Sequence, residues 1–393
     1  MKKRSVAVHE DSICEDVIIG ILSRLPGKSL FRFKSVCKAW RTLIDQPSFI
    51  QKHLEQSQRG EGTTRPNNIM FLDCNNESRL YSLDIESSSA LLLSCDEVEV
   101  ELTEKVRRCE DIPRLSMLPC FLGSCNGLVC IKASYKTLCL FNPCTRTYTN
   151  FEYKHPQNML FSSFGFGYDA KIKDYKLVMI SNSTQTTETT DSASNIKVLT
   201  LGTNAWRKLS NVPYRVGLGP GKLINGALHW IDNETNQVIC FDVEEEEFKV
   251  VSRPVYYNAA ARVSVSVEVA ELEGCLAVVC RHRSRKCRDV EVWMMKEYGL
   301  EDSWTKMFSI DPKTLPPLLI KNKNTGVFRP KCFITALCIL KNNEGVLLLI
   351  DRDIVLYNLK SNTCRYIHRV AIEFFSIVSY RGSLINLAQE FAE

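Results

Sequence analysis

Apolar residues follow two different periods along the chain. Between residues 11 and 55, Val17, Ile18, Ile21, Leu22 and Leu25, then Leu30, Phe33, Val36, Trp40 and Leu43, recur at three- and four-residue steps, the spacing that lines one face of a helix. Ser12-Ile13-Cys14-Glu15 has the form of a capping box, in which a serine oxygen accepts the third amide and a glutamate reaches back to the cap. A helix is predicted to start there. Pro26-Gly27 is expected to stop the first run and Asp45-Gln46-Pro47 the second, leaving two or three short helices. A segment of about forty residues sits near the lower size limit for an independent core. Its apolar surface must be covered by the rest of the chain or by a partner, and periodicity alone does not choose between them.

From residue 68 onward the period shortens. Residues 56–66, with Gly60, Gly62 and Pro66 among polar neighbours, read as a connector. Beyond it, short apolar runs rich in β-formers occur at 69–72, 128–131, 138–141, 177–180, 196–201, 238–241, 263–269 and 354–357. A turn followed by a strand recurs as Asn126-Gly127-Leu128-Val129-Cys130, Asn225-Gly226-Ala227-Leu228-His229-Trp230, Glu273-Gly274-Cys275-Leu276-Ala277, Glu344-Gly345-Val346-Leu347-Leu348 and Arg381-Gly382-Ser383-Leu384. Partner strands follow as Leu140-Phe141-Asn142-Pro143, Cys240-Phe241-Asp242-Val243, Glu291-Val292-Trp293-Met294 and Leu356-Tyr357-Asn358-Leu359, and an aromatic returns at Tyr148 and Phe248. A four-stranded sheet repeated radially protects its edges and fills its faces with alternating apolar residues. The pattern therefore predicts a β-propeller over a sandwich, but the repeat is too irregular to count blades.

Composition narrows the classes of function. With 50 Lys plus Arg against 45 Asp plus Glu, the net charge is +5, which gives no global support for nucleic-acid binding. No apolar stretch approaches the ~20 residues needed to cross a bilayer. Met1-Lys2-Lys3-Arg4 opens the chain, but His9, Glu10, Asp11, Glu15 and Asp16 interrupt the apolar core of a signal peptide, so cytoplasm and nucleus are the expected locations. The 17 cysteines are an odd number in a long chain, which argues for reduced thiols. Cys130, Cys139, Cys240, Cys280 and Cys338 alternate within apolar runs, where free cysteine acts as a small hydrophobe. The spacings Cys120/Cys125, Cys125/Cys130 and Cys139/Cys144 lack a Cys-x-x-Cys pair or clustered histidines, so no metal is expected.

Candidate chemistry is sparse. Gly165-Phe166-Gly167 lies between strands, and Gly217-Leu218-Gly219-Pro220-Gly221-Lys222 lacks the Walker spacing and leads to a strand, so no nucleotide cofactor is implied. The six histidines are dispersed, without a nucleophile-elbow or metalloprotease pattern, and His229 beside Trp230 reads as a strand residue with a satisfied ring. The densest basic run, Arg281-His282-Arg283-Ser284-Arg285-Lys286-Cys287-Arg288, is either a solvated hairpin loop or a contact for an acidic target. In the second reading Arg281, Arg283, Arg285, Lys286 and Arg288 pair with carboxylates or phosphates. The acidic run 244–247 reads as a hairpin turn, and the Ser/Thr-rich stretch 181–194 as a loop.

Two sets of motifs resemble a known family. Residues 15–41, above all Leu25-Pro26-x-Lys28-Ser29-Leu30, Arg32-Phe33-Lys34 and Val36-Cys37-Lys38-x-Trp40, resemble the plant F-box. They depart from it in having Ile13-Cys14 where F-boxes usually open with Leu-Pro. Ser124-Cys125-Asn126-Gly127-Leu128, Phe141-Asn142-Pro143, Phe164-Gly165-Phe166-Gly167-Tyr168-Asp169, Asn225-Gly226-Ala227-Leu228-His229-Trp230 and Val292-Trp293-Met294-Met295-Lys296-Glu297-Tyr298-Gly299 resemble the plant F-box-associated domain. That family includes regulators of plant immune receptors and pollen S-locus proteins. The resemblance implies an α+β multidomain chain: an N-terminal three-helix F-box at 10–55, a linker at 56–67 and an all-β, propeller-like domain at 68–390. It further implies a non-catalytic substrate receptor, without cofactor, nucleic acid or membrane, that docks on the Skp-type adaptor of a cullin ubiquitin ligase and holds a protein substrate. By analogy Ile13, Cys14, Val17, Leu25, Pro26, Leu30, Val36, Cys37 and Trp40 are the adaptor-binding candidates, most at the interface and a minority inside the box core. The alternatives are a β-propeller enzyme, which needs ionisable residues converging on the central channel, and an F-box scaffold acting outside a ligase.

Overall fold

The computed structural model describes residues 14–59, 68–73, 79–83, 106–108, 120–134, 136–153, 162–182, 194–217, 219–254, 265–282, 290–311, 315, 334–340, 345–350, 353–369 and 375–391. The strands form six antiparallel four-stranded sheets. Blade one joins Phe375–Tyr380 to Asn68–Asp73, Arg79–Leu83 and Val106–Arg108. Blade two runs Cys120–Cys125, Leu128–Lys132, Thr137–Asn142 and Thr147–Glu152, and blade three Ser162–Asp169, Asp174–Asn182, Ser194–Thr200 and Ala205–Lys208. Blade four runs Lys222–Ile224, Ala227–Ile231, Val238–Asp242 and Phe248–Val251. Blade five runs Val265–Leu272, Cys275–His282, Val290–Met295 and Trp304–Ile310, and blade six Ile334–Ile339, Gly345–Ile350, Asp353–Asn358 and Thr363–Arg369. The first-named strands of successive blades pack around the axis, so the molecule is a six-bladed β-propeller. Its ring closes where the last strand pairs with the first, from Asn68 opposite Tyr380 to Asp73 opposite Phe375.

The alternation read in the sequence explains how this ring holds together. Successive residues of a strand point to opposite faces, and here the two faces feed the layers on either side of a blade. Ile69 and Phe71 pack towards blade six with Leu337, Leu347 and Leu349, whereas Met70 and Leu72 pack towards blade two with Phe121, Val129 and Ile131. Six apolar layers of this kind form the core. Cys130, Cys139, Cys240, Cys280 and Cys338 are all buried in them, and burial pushes the Cys139 and Cys338 thiols up to about 12. Gly165 is set by the same packing: a Cβ there would lie 2.7 Å from Leu228 Cδ1 and 2.8 Å from Trp230 Cζ2 of the next blade. The Gly-x-Gly spacing thus serves blade contact.

Four helices precede the propeller: α1 Glu15–Leu22, α2 Gly27–Phe33, α3 Lys38–Ile44 and α4 Pro47–Arg59. The N-cap of α1 is Cys14, which makes Glu15 its first residue and not the third position of a capping box; Ser12 and Ile13 lie outside the described residues. Pro26 and Pro47 open helices instead of only ending them, because proline at a helix start removes an amide that would be unpaired anyway. Helix α4 continues through 56–59 into the stretch read as connector. Gly27, in the first turn of α2, lies flush on the propeller: a Cβ would stand 2.9 Å from Cys144 Sγ and 3.4 Å from the Gly382 carbonyl carbon. Ile50 and Leu54 of α4 pack on the layer between blades two and three. Leu384, beyond the last strand, completes the helical core with Leu22, Leu30, Leu43, Ile44 and Phe49. It does not begin a further repeat, as Arg381-Gly382-Ser383-Leu384 had suggested.

Candidate functional site

The helical segment has two unlike sides. Ile18 and Leu22 share one side of α1 and pack inward, as do Leu30, Leu43 and Ile44. Val17 and Ile21, also four residues apart, share another and are 51% and 57% exposed; Phe31 is 48% and Val36 61% exposed. These four are among only nine large hydrophobic side chains exposed in the described residues. The α2–α3 turn that presents Val36 is built locally. Ser35 Oγ donates to the Arg32 carbonyl at 2.6 Å, Arg41 Nε donates to the Lys34 carbonyl at 3.2 Å, and Lys34 pairs with Asp45. Cys37 takes the place usually held by Ser, Thr, Asp or Asn, its Sγ accepting the Trp40 amide at 3.4 Å. Trp40 packs edge-on against Phe33 at 5.6 Å.

Of the nine residues singled out from the sequence, Cys14, Val17, Val36 and Cys37 are exposed, Leu25, Pro26 and Trp40 are half-buried, Leu30 is fully buried, and Ile13 lies outside the described residues. Leu30 therefore belongs with the minority expected inside the core. Ile21 and Phe31 were missed as surface candidates. The surplus of apolar residues in α1 over a single core-facing stripe signals that some stay uncovered but not which, and it says nothing of Phe31 in α2.

Strand direction separates the propeller into two faces. In each antiparallel blade the first-to-second and third-to-fourth connections fall on one face, and the second-to-third and blade-to-blade connections on the other. The helices sit on the first, against Cys144 and Gly382. Apart from 84–105, the connections on that face are short, with Asn126, Asn225 and Glu273 at positive φ in tight turns. The acidic run is one of these: Asp242 Oδ1 accepts the Glu244 and Glu245 amides, each at 3.0 Å. Also on this face, Lys176 Nζ reaches Asp169 at 2.5 Å, Glu246 at 2.7 Å and the Val243 carbonyl at 2.9 Å, and Arg207 joins Glu246 at 2.6 Å, tying blade three to blade four. The longer connections, 109–119, 183–193, 209–221, 252–264 and 311–333, start and end on the face opposite the helices.

The basic run also joins strands that end on this opposite face. Arg281 belongs to the second strand of blade five, is half-buried and acts on Glu268. Burial pushes the Glu268 carboxyl up to about 8, against the pull of Arg281 and Lys222. Burial likewise lowers the Lys222 ammonium, opposed by Glu271 and Glu268. Arg283, Arg285, Lys286 and Arg288 lie outside the described residues. The structure thus gathers ionisable groups, Glu268, Lys222 and Arg281, that the sequence left scattered. His229 is buried. Its Nδ1–H donates to the Lys222 carbonyl at 3.2 Å and its Nε2 accepts from the Tyr298 hydroxyl at 2.8 Å; burial lowers it to about 4, so the ring stays neutral and satisfied.

Comparison with known proteins adds the decisive observation. Residues 11–52 match a family model described as F-box domain, and residues 78–384 one described as F-box associated beta propeller domain. The chain is an F-box protein. This F-box protein is 28% identical to an F-box protein from Arabidopsis thaliana over 89% of this chain and 86% of that one. It is 30% identical to the F-box protein CPR1 of Arabidopsis thaliana over 76% of this chain and 73% of CPR1. Among solved structures, an oligogalacturonate lyase in complex with manganese aligns over 80% of this chain and 75% of its own, with a TM-score of 0.43 and 10% identity, too distant to carry an argument. The F-box match contains Val17, Ile21, Phe31 and Val36, and the propeller match ends at Leu384. Among the described residues of this F-box protein, no helix is long and apolar enough to cross a membrane.

Proposed function

We propose that this F-box protein is the substrate-recognition subunit of a Skp-cullin-F-box ubiquitin ligase. The bare side of the box, with Cys14, Val17, Ile21, Phe31, Val36 and Cys37, docks on a Skp-type adaptor, and the propeller face opposite the box holds the target protein. One observation carries the reading: on a box whose other side is sealed by its own core and by the propeller, four large apolar side chains remain about half exposed or more. Covering such a side chain is worth on the order of 1 kcal/mol or more, and apolar anchors at the centre of an interface dominate its energy. Target recognition falls to the face with the long connections, because loops on a rigid scaffold carry recognition. Arg283, Arg285, Lys286 and Arg288 fall in the sequence between strands Cys275–His282 and Val290–Met295 and are proposed contacts for an acidic target. The mechanism is proximity: a target restrained near a charged ubiquitin-conjugating enzyme has its lysines at high effective concentration.

The test is adaptor affinity of the full chain with Val17→Glu and Ile21→Glu, coupled to cullin-dependent ubiquitination of captured targets. Loss of both in the variant, with an intact propeller, is expected. An adaptor that binds the double variant as it binds the parent would overturn the docking assignment.

A further inference from the structure

The last described segment, residues 381–391, joins the ring closure to the box. Strand Phe375–Tyr380 closes the propeller on Asn68–Asp73. The next residues leave the sheet and run beneath the helices. Arg381 pairs with Glu271 of blade five at 2.5 Å, and Gly382 lies under Gly27 of α2. Asn142, fully buried in blade two, holds the segment by its backbone: its Nδ2 donates to the Ser383 carbonyl at 3.3 Å and the Ile385 carbonyl at 2.8 Å, while its Oδ1 accepts the Cys144 amide at 2.9 Å. With those two carbonyls fixed, neighbouring side chains part company. Leu384, 2% exposed, enters the box core among Leu22, Leu30, Leu43, Ile44 and Phe49. Ile385 enters the layer between blades two and three together with Leu387, the first residue of helix α5 (Leu387–Glu390). Phe391 then stacks edge-on against Phe151 at 4.9 Å.

We infer that Leu384 is a positioning residue for adaptor docking, and that ring closure of the propeller and order of the F-box helices are one coupled event. The box core is incomplete until residues 375–380 have paired with the first strand, because the same backbone that closes the ring carries Leu384 into place. Leu384 clusters with the box core and not with Val17, Ile21, Phe31 or Val36, so it acts on docking only through that core. Coupling of this kind makes the docking surface conditional: a receptor whose propeller is open presents no ordered box and is not loaded onto the ligase. The inference rests on the adaptor reading for its functional consequence, but the structural coupling does not.

The experiment uses the full chain and reads two quantities, amide hydrogen exchange of α1–α3 and adaptor affinity. Leu384→Ala leaves a void in the box core and is expected to speed exchange in α1–α3 at least tenfold, with blades three and four unchanged, and to weaken adaptor binding at least tenfold. Leu384→Met should restore both. Leu348→Ala, a comparable void between blades five and six, should leave exchange in α1–α3 at the parent rate. Val17→Glu should abolish binding without changing exchange, which separates docking from positioning. If Leu384→Ala does not fold, Gly27→Ala, which presses a methyl onto Cys144 and Gly382, tests the same seam and should act in the same direction. Unchanged exchange in α1–α3 in these variants, or an equal rise in every blade, would overturn the coupling. A parent chain that ignores the adaptor while Leu384→Ala still loosens α1–α3 would sink the adaptor reading alone and leave the coupling standing.

Discussion

The two sides of the F-box are made from the same kinds of residue and meet opposite fates. Leu30 and Phe31 are neighbours in α2, yet one is fully buried and the other 48% exposed. Leu22 and Ile21 stand in the same relation in α1. The covered side is closed by the helices themselves, by Leu384 and by the propeller seam at Gly27, Cys144 and Gly382. The bare side has no such cover among the described residues. An apolar stripe therefore reports that something will cover it, and only the position of the rest of the chain reports what.

The largest effect should come from charging the bare side. Val17→Glu with Ile21→Glu is expected to weaken adaptor binding at least about a hundredfold, since each hot-spot position is worth roughly 2 kcal/mol or more. The thermal midpoint should stay near the parent value because both positions are exposed. Changing Leu25 and Pro26 is a less clean test: Leu25 packs on the box core and its carbonyl bonds His53, and Pro26 caps α2. A large fall in midpoint for the Val17/Ile21 variant would erase the distinction between the two sides.

Next comes the sequence-adjacent pair in α2. Leu30→Ala should cost about 2–5 kcal/mol of box stability, the range for a void in a packed core, whereas Phe31→Ala should stay within about 0.5 kcal/mol and reduce adaptor affinity. Denaturation followed by exchange in α1–α4, beside binding measurements, distinguishes the two. Equal stability losses would mean that Phe31 is covered within the chain.

A smaller effect should follow pH on the covered side alone. His53 is buried, and its Nε2 lies 2.9 Å from the Leu25 carbonyl, to which the neutral ring donates. Burial lowers its pKa below the ordinary 6.5, against that hydrogen bond. A lowered folded value means stability present above 6.5 that is lost as pH falls through the folded pKa. Protection factors in α4, with the intrinsic slowing of amide exchange at lower pH taken out, should fall between pH 7 and 5 in the parent and far less in His53→Gln, whose amide can keep the donor. His229 titrates with the same sign but in blade four, and segment-resolved exchange separates it. The smallest effect is expected at the exposed pair of Lys34 and Asp45, where Lys34→Ala should cost less than about 1 kcal/mol and less still at high salt.

Much of the architecture was legible from local pattern. The turns at Asn126-Gly127, Asn225-Gly226 and Glu273-Gly274 join first and second strands of blades two, four and five, and the acidic run is a third-to-fourth turn. Blade number was not legible, because blade one is assembled from both ends of the propeller sequence and its closing strand pairs at long range. The same long-range step misled the reading of 381–384, where a glycine followed by an apolar residue imitates a repeat but serves the box. Of the residues singled out by motif, Cys14, Val17, Val36 and Cys37 are exposed. Ile21 and Phe31 are exposed too but were not singled out, because an apolar residue on a short helix carries no local mark of which side will be covered.

The amino-acid order by itself determined the periods of three to four and of two, hence short helices followed by strands, and the alternation that lets every strand serve two neighbouring layers. Those are properties of a backbone a few residues long. Which stripe of the box stays bare, which glycine lies against another blade, and that Glu268 feels the charges of Lys222 and Arg281 were decided by the tertiary structure alone. The reason is physical: burial is a property of the surface that arrives, and here that surface comes from Cys144, Gly382 and Leu384, far from the helices along the chain and brought to them only when the first and last strands pair.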